Sequence, residues 1–245
     1  MARAMALLLP LALLGCRDAN RQGALPIRVF AAASLADTFT DLARAFERQH
    51  AGQPVQLRFA GTPQLLLQLR EGARVDVLAT ADPIAMQAVV ATGATTAAPQ
   101  QFAQSQLTIV VGKGNPKAVR GLADLQRKDL TVALCGKDVP AGRYARQALQ
   151  RANVTVASVS DEASVRALVS KVALGELDAG IVYATDVRRG DVDSVPIAAA
   201  DNVVVSYPIV ALQVGENRAG GLAFVAFVRS QVGGALLTKH GFVLP

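Results

Sequence analysis

Ile27-Arg28-Val29-Phe30-Ala31-Ala32-Ala33-Ser34-Leu35 is the stretch on which the fold turns. Ile27, Val29 and Phe30 have the character of a buried strand, and after Ser34 the apolar residues Leu35, Phe39, Leu42 and Phe46 recur at helical spacing. A serine at that change of period suits an N-cap, with Asp37 three residues on closing a weak capping box. The predicted unit is a strand feeding a helix whose first N–H groups point back at the strand end, where an anion is attracted. Taken alone, Ser34 needs no role beyond capping. Recurrence along the chain changes that.

Val55 to Phe59 reads as a second strand, running through Ala60-Gly61-Thr62-Pro63 into Leu65, Leu66 and Leu69 at helical spacing. Thr62 is expected as N-cap with Pro63 at the first helical position, where a missing N–H does no harm. Val75 to Ala79 is a third strand, and Asp82 before Pro83 caps the next helix. Leu107 to Val111 follows, then a turn, Gly112-Lys113-Gly114-Asn115-Pro116, whose spacing matches neither nucleotide-binding fingerprint. Leu130 to Leu134 leads to Pro140, which leaves the N–H groups of Ala141 and Gly142 at a helix start free. Val154 to Val159 is expected as a strand, with Ser160 or Asp161 capping a helix striped by Val165, Leu168, Val169 and Val172. Ala179 to Tyr183 is a strand that ends in a tyrosine. A polar loop after Asp186 precedes Val203 to Leu212, a run that Pro208 is expected to split. Helices over Leu222 to Val228 and Ala235 to Lys239 complete a predicted α/β fold with largely parallel sheets.

The 245 residues, 51% hydrophobic and 18% charged, suffice for two modest cores or one large one. Arg3 precedes an apolar run, Ala4 to Leu14, that is too short for a bilayer span and ends at Cys16. It resembles a bacterial lipoprotein signal, in which Cys16 is lipidated, with ordinary secretion as the alternative. Cys135 is then a lone thiol with no disulfide partner, most simply a small buried residue. His50 and His240 lie in polar settings and are expected to be exposed. The formal charge of +6, with aromatics at 4% and no Lys/Arg run, favours small anions over nucleic acid.

Four motifs fall into register together: Ala31-Ala32-Ala33-Ser34-Leu35, Phe59-Ala60-Gly61-Thr62, Val139-Pro140-Ala141-Gly142-Arg143-Tyr144-Ala145 and Gly180-Ile181-Val182-Tyr183-Ala184-Thr185-Asp186. In order and spacing they resemble the periplasmic molybdate-binding proteins of ABC uptake systems, the ModA family, and the likeness covers Ile27 to Phe242. It implies a two-lobed periplasmic binding protein fold of type II, each lobe a mixed, mostly parallel sheet flanked by helices. Residues 27–105 and 209–245 would form the first lobe and 106–208 the second, after a signal over 1–16 and a linker over 17–26. The implied ligand contacts are the hydroxyl and N–H of Ser34, the same pair on Thr62, the N–H of Ala141, the N–H of Val165 and the hydroxyl of Tyr183. Thr62 and Pro63 depart from the serine that many relatives carry. Implied too are delivery of molybdate or tungstate to a membrane permease, an extracytoplasmic location with Cys16 as lipid anchor, a monomer, no resident cofactor and no enzymatic activity.

The residue types agree with that reading independently. Four of the five positions fall near predicted helix starts and Tyr183 at a strand end, where open α/β sheets place ligands. A fully deprotonated tetrahedral oxyanion offers only acceptors, so neutral donors and helix N-termini can satisfy it without lysine or arginine. Protonated phosphate would want an acceptor in the pocket; none is assigned, though Asp138 or Asp161 could intrude. Other readings stay open at this stage. Sulfate is the alternative ligand. An enzyme would use Ser34 as nucleophile, though neither histidine is placed to serve it. A ferric-ion site would draw on Tyr144, Tyr183 and Tyr207. An effector-sensing domain of a transcription regulator shares the fold, but would place a DNA-binding helix pair where Met1 to Cys16 stands.

Overall fold

A computed structural model describes residues 25–187 and 190–245 of the chain. The expected signal, Cys16 and most of the linker lie outside the described residues. β1 (Ile27–Ala32) passes through a single 3-10 turn (Ala33–Leu35) into α1 (Ala36–Gln49). β2 (Val55–Ala60), α2 (Thr62–Arg70), β3 (Val77–Ala79) and α3 (Pro83–Val90) repeat the pattern. β1 is the hub: it pairs in parallel with β2, Val29 opposite Leu57, and with β3, Val29 opposite Val77. All three strands therefore end on one edge, in alanines small enough to let the following helix starts crowd together.

β4 (Gln100–Gly112) joins the two lobes. Its first half pairs antiparallel with β9 (Val204–Ala211), and from Leu107 onward it pairs with β7 (Ala179–Tyr183) and β8 (Val192–Pro196). At the change of partner the Asn202 side chain accepts from Leu107 N–H at 3.0 Å and donates to Leu107 C=O at 2.9 Å. β5 (Val132–Cys135) adds to β7 in parallel, and the two-residue β6 (Asp161–Glu162) adds to β5. α4 (Pro140–Arg151) and α5 (Val165–Ala173) cover this second lobe, while α6 (Arg218–Val228) and α7 (Gln231–Lys239) return to the first. The fold is the mixed, two-lobed sheet expected, with parallel pairing among β1, β2 and β3 and among β5, β6 and β7, and antiparallel pairing along β4 and β9.

Packing follows the sequence periods. Phe39 and Phe46 of α1 meet Phe224 of α6 edge-on, with centroids 6.2 and 5.3 Å apart. One apolar cluster continues through both lobes, and a smaller one lies under α2 and α3 around Leu65, Leu78 and Met86.

Several local expectations are corrected. Pro208 does not split its run, because β9 carries it opposite Gln101, beside an irregularity in the β4 register, and its carbonyl still accepts from Thr80 N–H at 3.1 Å. Residues 154–158 form no strand: Ser158 Oγ accepts from Leu134 N–H, and strand pairing begins only at Asp161. The capping residue of α5 is Ser164, whose hydroxyl accepts from Ala167 N–H, rather than Ser160 or Asp161. Thr62 is the first residue of α2, and Gly61 takes the cap position. Ser34 sits inside the 3-10 turn and caps nothing with its side chain. Asp82 does cap α3, accepting from Ala85 N–H at 2.7 Å. His50 is exposed as expected, whereas His240 is half-buried and its Nε2 lies 3.0 Å from Asp41.

Candidate functional site

The carboxyl ends of the strands from both lobes face one small cavity. From the first lobe it is lined by Ala32, Ala33 and Ser34 after β1, Gly61 and Thr62 after β2, and Ala81 after β3. From the second come Val139, Pro140 and Ala141 at the start of α4, Ser164 and Val165 at the start of α5, and Tyr183 at the end of β7. All five residues expected from the sequence, Ser34, Thr62, Ala141, Val165 and Tyr183, are brought together here. The volume is about 20 Å³. Pockets for organic ligands run to about 300–1,000 Å³, so the space suits a single small ion.

Its chemistry is that of donors. The hydroxyls of Ser34, Thr62 and Tyr183 are buried and have no hydrogen-bond partner in the protein. An unpaired buried hydroxyl costs about 1–3 kcal/mol, and three around one cavity mark a place built for a ligand with acceptors. Thr62 and Tyr183 are 2% and 1% exposed, so water reaches neither freely. Burial raises the Tyr183 phenol well above its ordinary value, with Tyr207 and Asp186 adding to the effect, and its oxygen keeps a proton to donate. α2 and α4 begin without any side-chain cap, and the first N–H groups of a helix have no carbonyl one turn earlier to accept them. The partial positive ends of α2, α4 and α5 therefore converge on the cavity.

No lining residue is charged. Arg143 of α4 is held by buried Asp82 across the gap between lobes, and Arg166 of α5 by Asp37 of α1 at 2.9 Å. Both arginines are thus neutralised by the facing lobe. Asp138 and Asp161, the carboxylates that the sequence suggested could intrude, are exposed; neither lines the cavity, and Asp161 pairs with Arg146 at 3.0 Å. The lobes also meet at Gly61: a Cβ there would fall far inside van der Waals contact of the Ala163 carbonyl. Cys135 is fully buried and its thiol is pushed up to about 12, chiefly by burial, so it is a packing residue.

Sequence reasoning missed three contributors. Gly61 had no visible reason to be glycine until the facing carbonyl is known. Thr185 and Tyr207, behind Ser34, also carry buried unpartnered hydroxyls. The signal available for Tyr207 was a tyrosine inside a largely apolar strand, which packing alone accounted for.

Two lobes sharing a strand and enclosing a donor-lined, ion-sized cavity define a solute-binding protein. The sequence pattern of the bacterial extracellular solute-binding proteins matches residues 27–243. The chain is 38% identical over 226 residues to the molybdate-binding protein ModA of Mycobacterium tuberculosis, covering 91% of this chain and 87% of that one. Among solved structures it resembles the periplasmic molybdate-binding protein of Azotobacter vinelandii, with a TM-score of 0.76 at 19% identity over 89% of this chain and 99% of that one. It resembles equally the sulfate-binding protein SubI of M. tuberculosis, with a TM-score of 0.79 at 16% identity over 89% and 86% of the two chains. The chain belongs to the ModA family of bacterial extracellular solute-binding proteins. The SubI likeness shows that the fold alone does not choose the anion.

Proposed function

We propose that this protein captures molybdate, or its near twin tungstate, outside the cytoplasm and delivers it to the permease of an ABC transporter. The observation that carries the reading is the set of three unpartnered hydroxyls, Ser34, Thr62 and Tyr183, around one uncharged cavity. Joined by the N–H groups of Ser34, Thr62, Ala141 and Val165, they can saturate an anion that has only acceptors. Hydrogen bonds to a charged group contribute about 1.5–3 kcal/mol each, and several together reach the roughly −12 kcal/mol of nanomolar binding after ordering costs. The identity with mycobacterial ModA supports molybdate over sulfate.

In this proposal the lobes, divided where β4 changes partners at Leu107 and where the chain returns near Asn202, close on the anion by bending there, and the permease reads the closed form. Cys16 anchors the mature protein through lipid, the protein works as a monomer without resident cofactor, and it performs no chemistry on its cargo. The test is a thermal-shift panel with molybdate, tungstate, sulfate and phosphate. Ligand at a thousandfold over Kd adds about 4 kcal/mol, which raises the Tm by about 8–16 °C for a chain of this size. Molybdate and tungstate should both give that rise. A shift with sulfate alone would overturn the assignment.

A further inference from the structure

We infer that Tyr207 is a positioning residue that fixes the direction of the Ser34 hydroxyl and thereby makes the cavity refuse protonated oxyanions. The inference rests on the function proposed above and deepens it. Tyr207 is fully buried on β9, its phenol oxygen has no hydrogen-bond partner, and the hydroxyls of Ser34 and Thr185 are unpartnered as well. The three are neighbours. Ser34 and Thr185 both line a second, open cleft of about 320 Å³ that also holds Asp37, Asp186 and His240; burial raises the Tyr207 phenol well above its ordinary value, Asp186 adds to the rise, and the Ser34 and Thr185 hydroxyls beside it work against it. The Tyr207 ring cannot swing elsewhere: Tyr183, Phe102 and Phe242 hold it edge-on, with centroids 5.7, 6.3 and 5.2 Å away.

A serine hydroxyl has one proton and two lone pairs. When Ser34 gives its proton to a dianion, its lone pairs are left buried and need a donor. Tyr207 is that donor, and Thr185 donates in turn to the phenol oxygen. The three hydroxyls then point one way, Thr185 to Tyr207 to Ser34 to anion, and the cavity presents protons only. An anion that carries its own O–H, such as hydrogen phosphate, finds no acceptor. Without the Tyr207 hydroxyl, Ser34 can turn a lone pair into the cavity and accept that proton.

The experiment is calorimetric titration of wild type, Tyr207→Phe, Ser34→Ala and the double variant with molybdate and with phosphate at neutral pH. Tyr207→Phe keeps the ring and its packing. It should weaken molybdate about tenfold while phosphate is unchanged or tighter, and the same substitution in the Ser34→Ala background should change neither affinity. Thr185→Val, one link further back, should act in the same direction with a smaller effect. Equal affinities for wild type and Tyr207→Phe, or the same tenfold loss with Ser34 already removed, would overturn the inference while leaving molybdate binding standing. Wild-type protein that fails to bind molybdate or tungstate would overturn both.

Discussion

Helix starts in this molecule use the same kinds of residue for opposite ends. α3, α5, α6 and α7 are closed by Asp82, Ser164, Asn217 and Ser230, each accepting a first-turn N–H within 2.7–3.3 Å, although α3 and α5 begin beside the cavity. At the cavity, α2 and α4 have no side-chain cap, and the hydroxyls of Ser34 and Thr62 stand unpaired although they sit in the right neighbourhood to cap. The first group contributes stability; the second withholds it until a ligand arrives. A serine or threonine at a strand-to-helix junction is therefore ambiguous by type, and only the direction of its oxygen tells which use is made of it.

Replacement by alanine separates the two groups. The double variant Ser34→Ala, Thr62→Ala should lose about 3–6 kcal/mol of molybdate affinity, read by titration, while the Tm of the unliganded protein stays close to level, since the gain from removing unpaired hydroxyls is offset by the acceptor that Tyr207 loses with Ser34. A fall in the unliganded Tm without loss of affinity would put these residues with the ordinary caps. Gly61→Ala should come next, weakening molybdate by about 1–3 kcal/mol as the new methyl holds the Ala163 carbonyl away. The backbone at Gly61 is one any residue adopts, yet the Ala163 carbonyl must move to admit the methyl, so the unliganded Tm should fall as well; unchanged affinity would mean the lobes need not meet there. The smallest effect belongs to the true caps: Asn217→Ala or Ser230→Ala should lower stability by about 1 kcal/mol, or about 2–4 °C in Tm, with molybdate affinity intact.

That the five expected residues would meet at one cavity was legible for Ser34, Thr62, Ala141 and Tyr183 because each lies where a strand or helix end meets a small or hydroxyl residue, and for Val165 only through the family resemblance. The exact helix registers were not. Thr62 and Ser34 lie inside the first turn rather than before it, since their side chains face the cavity and leave the N-cap position to Gly61 and Ala32. Strand β8 and the first half of β4 were invisible, because Asp193, Ser194, Gln100, Gln101 and Gln104 break the apolar pattern in segments whose pairing is decided by distant partners. Tyr207 was visible as a residue and not as a role. Its neighbours Ser34 and Thr185 are remote in sequence and adjacent only in space.

The shared strand β4 carries a consequence for how such a protein can evolve. Its 13 residues pair with β9 before Leu107 and with β7 and β8 from there on, and alternate side chains face opposite sides of the sheet. Inserting or deleting one residue at that point would turn every inward side chain of one lobe outward and carry Tyr183 out of phase with Ser34. Length at the junction is frozen, whereas turns such as Gly112 to Pro116 are at liberty to grow. New specificities in this architecture must come from exchanging atoms at strand ends, never from moving the seam between the halves.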